Sequence, residues 1–211
     1  MKYPPLMPSP QAIESCKKSG LWMDVTLTEF LNRAIESQPD RIALIHGETR
    51  LTYRELGLRT KLLQAGLTEI GIGKGDIISV QLPNCVEFVL LQLALAGIGA
   101  VIQPIHLSFR RSEVFSQLAF CESVAYVCPG TSSSFDFVTM TQDIWPSLPA
   151  LRHVIVASNT VPANMLAFDK LLHTGEKLDP HIDTDPDDVL LLNFTSGTEG
   201  ILKGFLSALS F

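Results

Sequence analysis

Apolar residues follow two rhythms along this chain. Phe30, Leu31, Ala34 and Ile35 recur at helical spacing and stop near Pro39. They follow Thr26-Leu27-Thr28-Glu29, whose threonine and glutamate have capping-box spacing. Leu56, Leu63, Leu67 and Ile70 repeat this rhythm after a second such box, Thr52-Tyr53-Arg54-Glu55, with Gly71 as the stop. A further helix is expected from Pro83-Asn84 to about Ala96, with Asn84 as its cap. Arg111–Phe120 and Phe168–Leu172 also read as helical. Between these stand short apolar runs at Arg41–His46, Ile77–Leu82, Ala100–Gln103, Val124–Cys128, His153–Ala157 and Leu190–Phe194. Runs apolar throughout suit strands buried on both faces. The alternation predicts an α/β fold, with helices layered around a mainly parallel sheet.

The ends and the middle carry weaker signals. Met1–Gly20 has four prolines and reads as an extended N-terminal arm, leaving residues 21–211 as the folded unit. Gly130–Ser134 reads as a loop. Thr174–Asp188 reads as a polar connector with Asp183, Asp185, Asp187 and Asp188. It lacks the glycine and closing glutamate of a calcium loop, so a solvated acidic stretch is expected.

Composition narrows the function classes. A hydrophobic share of 46% and a mean hydropathy of +0.24 in 211 residues support a sizeable core and argue against disorder. The net charge of -6, with no long Lys/Arg run, argues against nucleic-acid binding through a basic face. The most apolar window, Val86–Ile102, contains Glu87, Gln92, Gly97 and Gly99. It reads as helix plus strand, so no transmembrane segment is expected. The four cysteines form no C-x-x-C pair and the five histidines are scattered, so no metal site is predicted. Without a secretory leader, the cysteines are expected to be reduced and buried in a cytoplasmic protein.

The chemistry concentrates after the last strand. Thr195-Ser196-Gly197-Thr198-Glu199-Gly200-Ile201-Leu202-Lys203-Gly204 holds three glycines, three hydroxyl residues and a lysine. Glycine lets backbone N–H groups approach an anion, and successive N–H groups form an anion-binding nest. Hydroxyls and a lysine suit phosphate oxygens. Leu202 and Gly204 stand where a Walker A loop needs glycine and a metal-binding hydroxyl, so that motif is excluded. A strand-exit loop without a ligand has the same composition.

The order of residues from Phe194 to Gly204 resembles the phosphate-binding loop of the AMP-forming adenylating enzymes, [YF]-T-S-G-[ST]-T-G-x-P-K-G. Nine of eleven positions match. Leu51-Thr52-Tyr53-Arg54-Glu55-Leu56 is similar to the family's L-T-Y-x-E-L segment. Gly75-Asp76 through Leu82-Pro83-Asn84, with Glu87-Phe88, resembles its G-D-x-V-x-x-x-L-P-N-x-x-E-F stretch. Leu95–Pro104 resembles its x-A-x-x-x-G-A-V-x-x-P segment. The LPN and GAV stretches otherwise read as plain core, with no chemical group to assign.

The resemblance implies an incomplete N-terminal domain of an AMP-dependent ligase. Such enzymes join a carboxylic acid to ATP with magnesium, then to a thiol such as coenzyme A. It assigns phosphate contacts to Thr195, Ser196, Gly197, Thr198, Gly200 and Lys203, and no catalytic residue. It also implies a truncated product, inactive alone. Glu199 replaces a threonine, and one like-charge pair at about 4 Å costs about 4 kcal/mol at an effective dielectric of 20. Leu202 replaces a proline, a smaller effect. The ending Phe205–Phe211 carries four large apolar residues that need a partner surface. An alternative is therefore a non-catalytic interaction or regulatory module that pairs with another chain through this apolar ending. A third is a nucleotide-binding protein without chemistry.

Overall fold

The computed structural model describes residues 9–20, 24–132, 135–174, 182–195 and 203–208. Helices α1 (Pro10–Lys18) and α2 (Leu27–Ser37) precede a hairpin of β1 (Ile42–His46) and β2 (Thr49–Thr52). Then come α3 (Tyr53–Glu69), β3 (Ile77–Val80), α4 (Val86–Gly97), β4 (Val101–Pro104), α5 (Arg111–Cys121) and β5 (Ala125–Pro129). A small antiparallel pair, β6 (Thr131–Ser132) and β7 (Phe135–Asp136), leads into α6 (Phe137–Ile144) and a 3-10 turn, Trp145–Ser147. The rest is β8 (His153–Ala157), β9 (Leu166–Ala167), α7 (Phe168–Thr174), β10 (Val189–Thr195) and β11 (Lys203–Ala208).

Seven strands form one sheet in the order β11-β10-β4-β3-β5-β8-β9. All neighbours are parallel except β10 and β11. Val80 pairs with Pro104 on one side and Val127 on the other, so the carboxyl ends of the central strands stand level. The alternation of β5 shows why both faces need cover. Ala125 and Val127 enter a cluster with Leu63 and Leu67 of α3, Leu90 and Leu91 of α4 and Leu171 of α7. Tyr126 and Cys128 enter another with Val114 and Leu118 of α5 and Phe137 and Met140 of α6. Each fully buried leucine contributes about 1.5–3 kcal/mol relative to leaving it exposed.

Both expected capping boxes form. Thr26 N–H donates to Glu29 Oε2 at 2.8 Å, and Thr52 N–H donates to Glu55 Oε2 at 2.8 Å. Glu29 and Glu55 N–H return bonds to the threonine hydroxyls at 3.1 and 3.2 Å. The Thr52 N–H and hydroxyl hold the Glu55 carboxyl below its ordinary pKa. Gly71 follows α3 with φ of +79°, the left-handed stop the sequence suggested.

Two expectations need correction. Residues 10–18 of the supposed extended arm are helical: Pro10 fits the first turn and Ser9 Oγ accepts from Ala12 N–H at 3.2 Å. Helix α4 is capped at Cys85, not Asn84, without a side-chain bond; Glu87 instead serves its first turn. In the apolar ending, the backbone of residues 203–208 forms β11 against β10. Residues 209–211 lie outside the described residues.

Helix α3 crosses α7 closely at Gly66. A Cβ there would overlap the Leu171 carbonyl oxygen and stand 2.8 and 2.9 Å from its C and Cα atoms. Gly66→Ala is expected to destabilise the fold by about 1–3 kcal/mol, read as a lower urea midpoint. An unchanged midpoint would mean that α7 yields freely. His153, half-buried at the start of β8, has its pKa held below 6.5 by burial, with Arg152 adding repulsion and a backbone bond at Ile70 opposing. Its neutral form therefore supports folding above about pH 6.5, and that support is lost as pH falls below it. Urea midpoints measured from about pH 8 to 5 should decline in the lower part, and His153→Asn should flatten that decline.

Candidate functional site

The hairpin of β10 and β11 stands beside β4 at one side of the parallel sheet. Leu190 and Leu192 of β10 are buried, and the Phe194 ring meets Phe120 of α5 edge-on at 5.6 Å. At the carboxyl end of β10, Thr195 is the register partner of Lys203. The fold thus sets the first hydroxyl residue of the predicted phosphate loop across from its lysine, backbone to backbone. Ser196, Gly197, Thr198 and Gly200, together with Glu199 and Leu202, lie outside the described residues. Ligands of open α/β sheets bind beyond the carboxyl ends of strands, and β10 ends and β11 begins at that end.

Beneath this end the sheet holds polar groups that the apolar pattern hid. Ser79 of β3 donates its hydroxyl to Gln103 Oε1 of β4 at 2.6 Å. A serine has one proton to give, so Ser123, at 2.7 Å, donates to Ser79. Gln103 Nε2 donates to Gln117 Oε1 of α5 and to the Pro104 carbonyl, both at 2.9 Å. All four side chains are buried. Beside them Tyr126 of β5 donates its hydroxyl to Gln81 Oε1. Burial pushes the Tyr126 phenol pKa well up, in keeping with a neutral donor.

Gln81 uses its other end to fix the loop that leaves β4. Its Nε2 donates to the carbonyls of His106 and Phe109 at 2.8 and 3.0 Å. Arg110 is spent on the same loop: Nη1 donates to the Leu107 and Phe109 carbonyls at 2.7 and 2.9 Å. Its guanidinium also lies 4.3 Å from the centre of the Phe135 ring. The signal for these residues was present in the sequence as glutamine, serine and tyrosine inside runs that a two-faced parallel strand would fill with aliphatic side chains.

Two other candidate features resolve as structural. Asp187 pairs with Lys17 at 3.0 Å, and Asp188 with Lys74 at 2.6 Å. The acidic connector is thus tied at the opposite, amino end of the sheet rather than left fully solvated. Among the described residues, no group of three or more His, Cys, Asp or Glu could hold a metal ion. The cysteines are free, but only Cys121 and Cys128 are buried; Cys16 and Cys85 are half-exposed. Burial pushes the thiols of Cys85, Cys121 and Cys128 up to about 11, 12 and 12, so all three stay protonated and inert at neutral pH. Among the described residues, no helix is long and apolar enough to cross a membrane.

The profile of the AMP-binding enzyme family matches residues 31–207, from the middle of α2 to the end of the last strand. The chain belongs to the AMP-binding enzyme family. Among its family relatives, the 2,3-dihydroxybenzoate-AMP ligase of Bacillus subtilis is 33% identical over 190 residues, 90% of this chain and 34% of the relative. The medium-chain fatty-acid–CoA ligase of Escherichia coli is 30% identical over 193 residues, with the same two shares. The apo structure of MbtA from Mycobacterium smegmatis superposes with a TM-score of 0.84 at 29% identity, covering 97% of this chain and 37% of that one. The chain therefore spans about a third of the length of the curated relatives it matches.

The buried bond between Tyr126 and Gln81 gives a direct test of the polar layer. Tyr126→Phe leaves Gln81 Oε1 without a donor, and an unsatisfied buried acceptor costs about 1–3 kcal/mol. Urea unfolding of the variant should show that loss, together with faster amide exchange at residues 106–109. A loss with exchange unchanged at 106–109 would mean that Gln81 does not hold the loop.

Proposed function

We propose that this chain supplies the nucleotide-phosphate site of an AMP-forming carboxylate ligase. The observation that supports it is the β10–β11 register, which sets Thr195 opposite Lys203 at the carboxyl end of a parallel sheet. In the reaction a carboxylate oxygen attacks the α-phosphorus of ATP, and the bond to pyrophosphate breaks. The sulfur of coenzyme A then attacks the acyl carbon of the acyl-adenylate, and AMP leaves. The part assigned to this chain is positioning and charge neutralisation of phosphate oxygens by Thr195, Ser196, Gly197, Thr198, Gly200 and Lys203, with magnesium as counter-ion. Lys203 supplies the positive charge, and the hydroxyls and glycine N–H groups supply directional donors. Selection of the acid and of the thiol is assigned to none of its residues. The free cysteines fit a reducing, cytoplasmic setting.

Glu199 works against this role. A carboxylate about 4 Å from a phosphate costs about 4 kcal/mol, roughly a thousandfold in affinity, before magnesium or Lys203 offsets any of it. Titration calorimetry with Mg-ATP is expected to show Glu199→Thr binding about 10- to 1000-fold more tightly than the natural chain. Lys203→Ala in that background should lose about tenfold. Tighter binding by the natural chain would reverse the role of Glu199 and make it a ligand of the magnesium. The phosphate-site proposal is abandoned if neither the natural chain nor Glu199→Thr binds.

A further inference from the structure

Helix α1 is fastened to the rest of the chain by charge rather than by packing. None of its nine residues is buried, and Ile13 and Cys16, one turn apart, are half-buried. Among the described residues, the hydrogen bonds that it makes beyond residues 9–20 both come from Lys17. The Lys17 ammonium donates to Asp24 Oδ1 at 3.1 Å and to Asp187 Oδ2 at 3.0 Å. Those two carboxylate oxygens therefore stand within about 6 Å of each other, and the cation between them offsets their repulsion.

The segment that receives Lys17 is held from elsewhere. Asp187 N–H donates to Asp185 Oδ1 and Asp185 N–H to Asp188 Oδ2, both at 2.8 Å. Lys74 pairs with Asp188 at 2.6 Å. Its stem lies against Gly99, just ahead of β4, where an added Cβ would stand 2.9 Å from Lys74 Cγ. On either side of the four aspartates, Ile182 and Val189 pack against core clusters. The connector and β10 thus keep their places without α1.

The contact between α1 and the connector is close to balance. Among the described residues, Asp187 Oδ1 is buried with no hydrogen-bond partner, and an unsatisfied acceptor is costly. Ion pairs screened by water return little. A nine-residue helix is also shorter than the roughly 12–15 residues below which isolated helices are marginal in water.

We propose that α1 is a releasable strap and that the charge of Lys17 is its switch. With the ammonium in place, α1 is helical and lies on the connector. With the charge removed, Asp24 and Asp187 repel, α1 detaches and melts, and Asp187 Oδ1 gains water. A modification that neutralises the ammonium, as acetylation does, acts through the same loss of charge.

Amide hydrogen exchange followed by NMR tests this on the natural chain and on Lys17→Gln, Lys17→Arg and Asp187→Asn. Lys17→Gln is expected to speed exchange at residues 13–18 about two- to fivefold, with residues 190–194 of β10 unchanged. Lys17→Arg keeps the charge and should stay within about twofold of the natural chain. Asp187→Asn leaves the sequence of α1 untouched and removes only a distant carboxylate, yet it should speed the same α1 amides about as much as Lys17→Gln. Unchanged α1 exchange in Asp187→Asn overturns the strap, because the helix then stands without the connector. Equal acceleration in β10 also overturns it, because Lys17 then supports the sheet and not a separable helix.

Discussion

A parallel sheet has no face to spare for water, and most of this structure follows from that constraint. Each central strand must send alternate side chains into two different helix layers, so Ala125 and Val127 pack one way while Tyr126 and Cys128 pack the other. Polar groups inside the sheet then have no solvent to fall back on. An unpaired buried donor or acceptor costs about 1–3 kcal/mol, comparable to what one buried leucine contributes. Ser79, Gln103, Ser123 and Gln117 meet that requirement only by bonding to one another across β3, β4 and α5. Their placement ties the two strands and the helix into one register.

The same constraint shapes the candidate site. Parallel strands end together, and the segments that leave their carboxyl ends crowd one rim of the sheet. Here that rim carries the loop after β4, held by Gln81 and Arg110, and the end of β10 with the start of β11. The antiparallel pairing of β10 and β11 is the one departure from parallel order in this sheet. It returns the chain at once, and so brings the lysine of the motif back to its threonine.

At the opposite rim, charge does a more modest task. Lys17 and Lys74 reach the acidic connector that feeds β10, and both have their ammonium pKa raised by bonds to Asp187 and Asp188 respectively. Exposed pairs of this kind contribute little to stability, because water screens them. They guide the connector and the short helix α1; the buried leucines of β10 hold the strand. Asp187 and Asp188 of the acidic stretch thus anchor two lysines.

The sequence by itself determined the elements whose signals are local. A capping box is complete within four residues, which is why the starts of α2 and α3 were legible to the residue, and an apolar run between turn residues is enough to mark a strand. The family's loop motif was also legible, because nine of eleven consecutive positions carry it. Helix α1 was hidden by its prolines, although Pro10 at a helix start is favourable. The small pair β6–β7 and strand β9 are two residues long and owe their form to their neighbours. Only the tertiary structure decided that β11 pairs back on β10, that Gln81 and Tyr126 form one buried unit, and that β10 lies beside β4 with Leu191 next to Ile102. Those facts concern residues from 8 to 89 positions apart, and no local pattern specifies which distant group will satisfy a buried donor. The sheet decides that, when it closes and leaves each polar atom only the partners within reach.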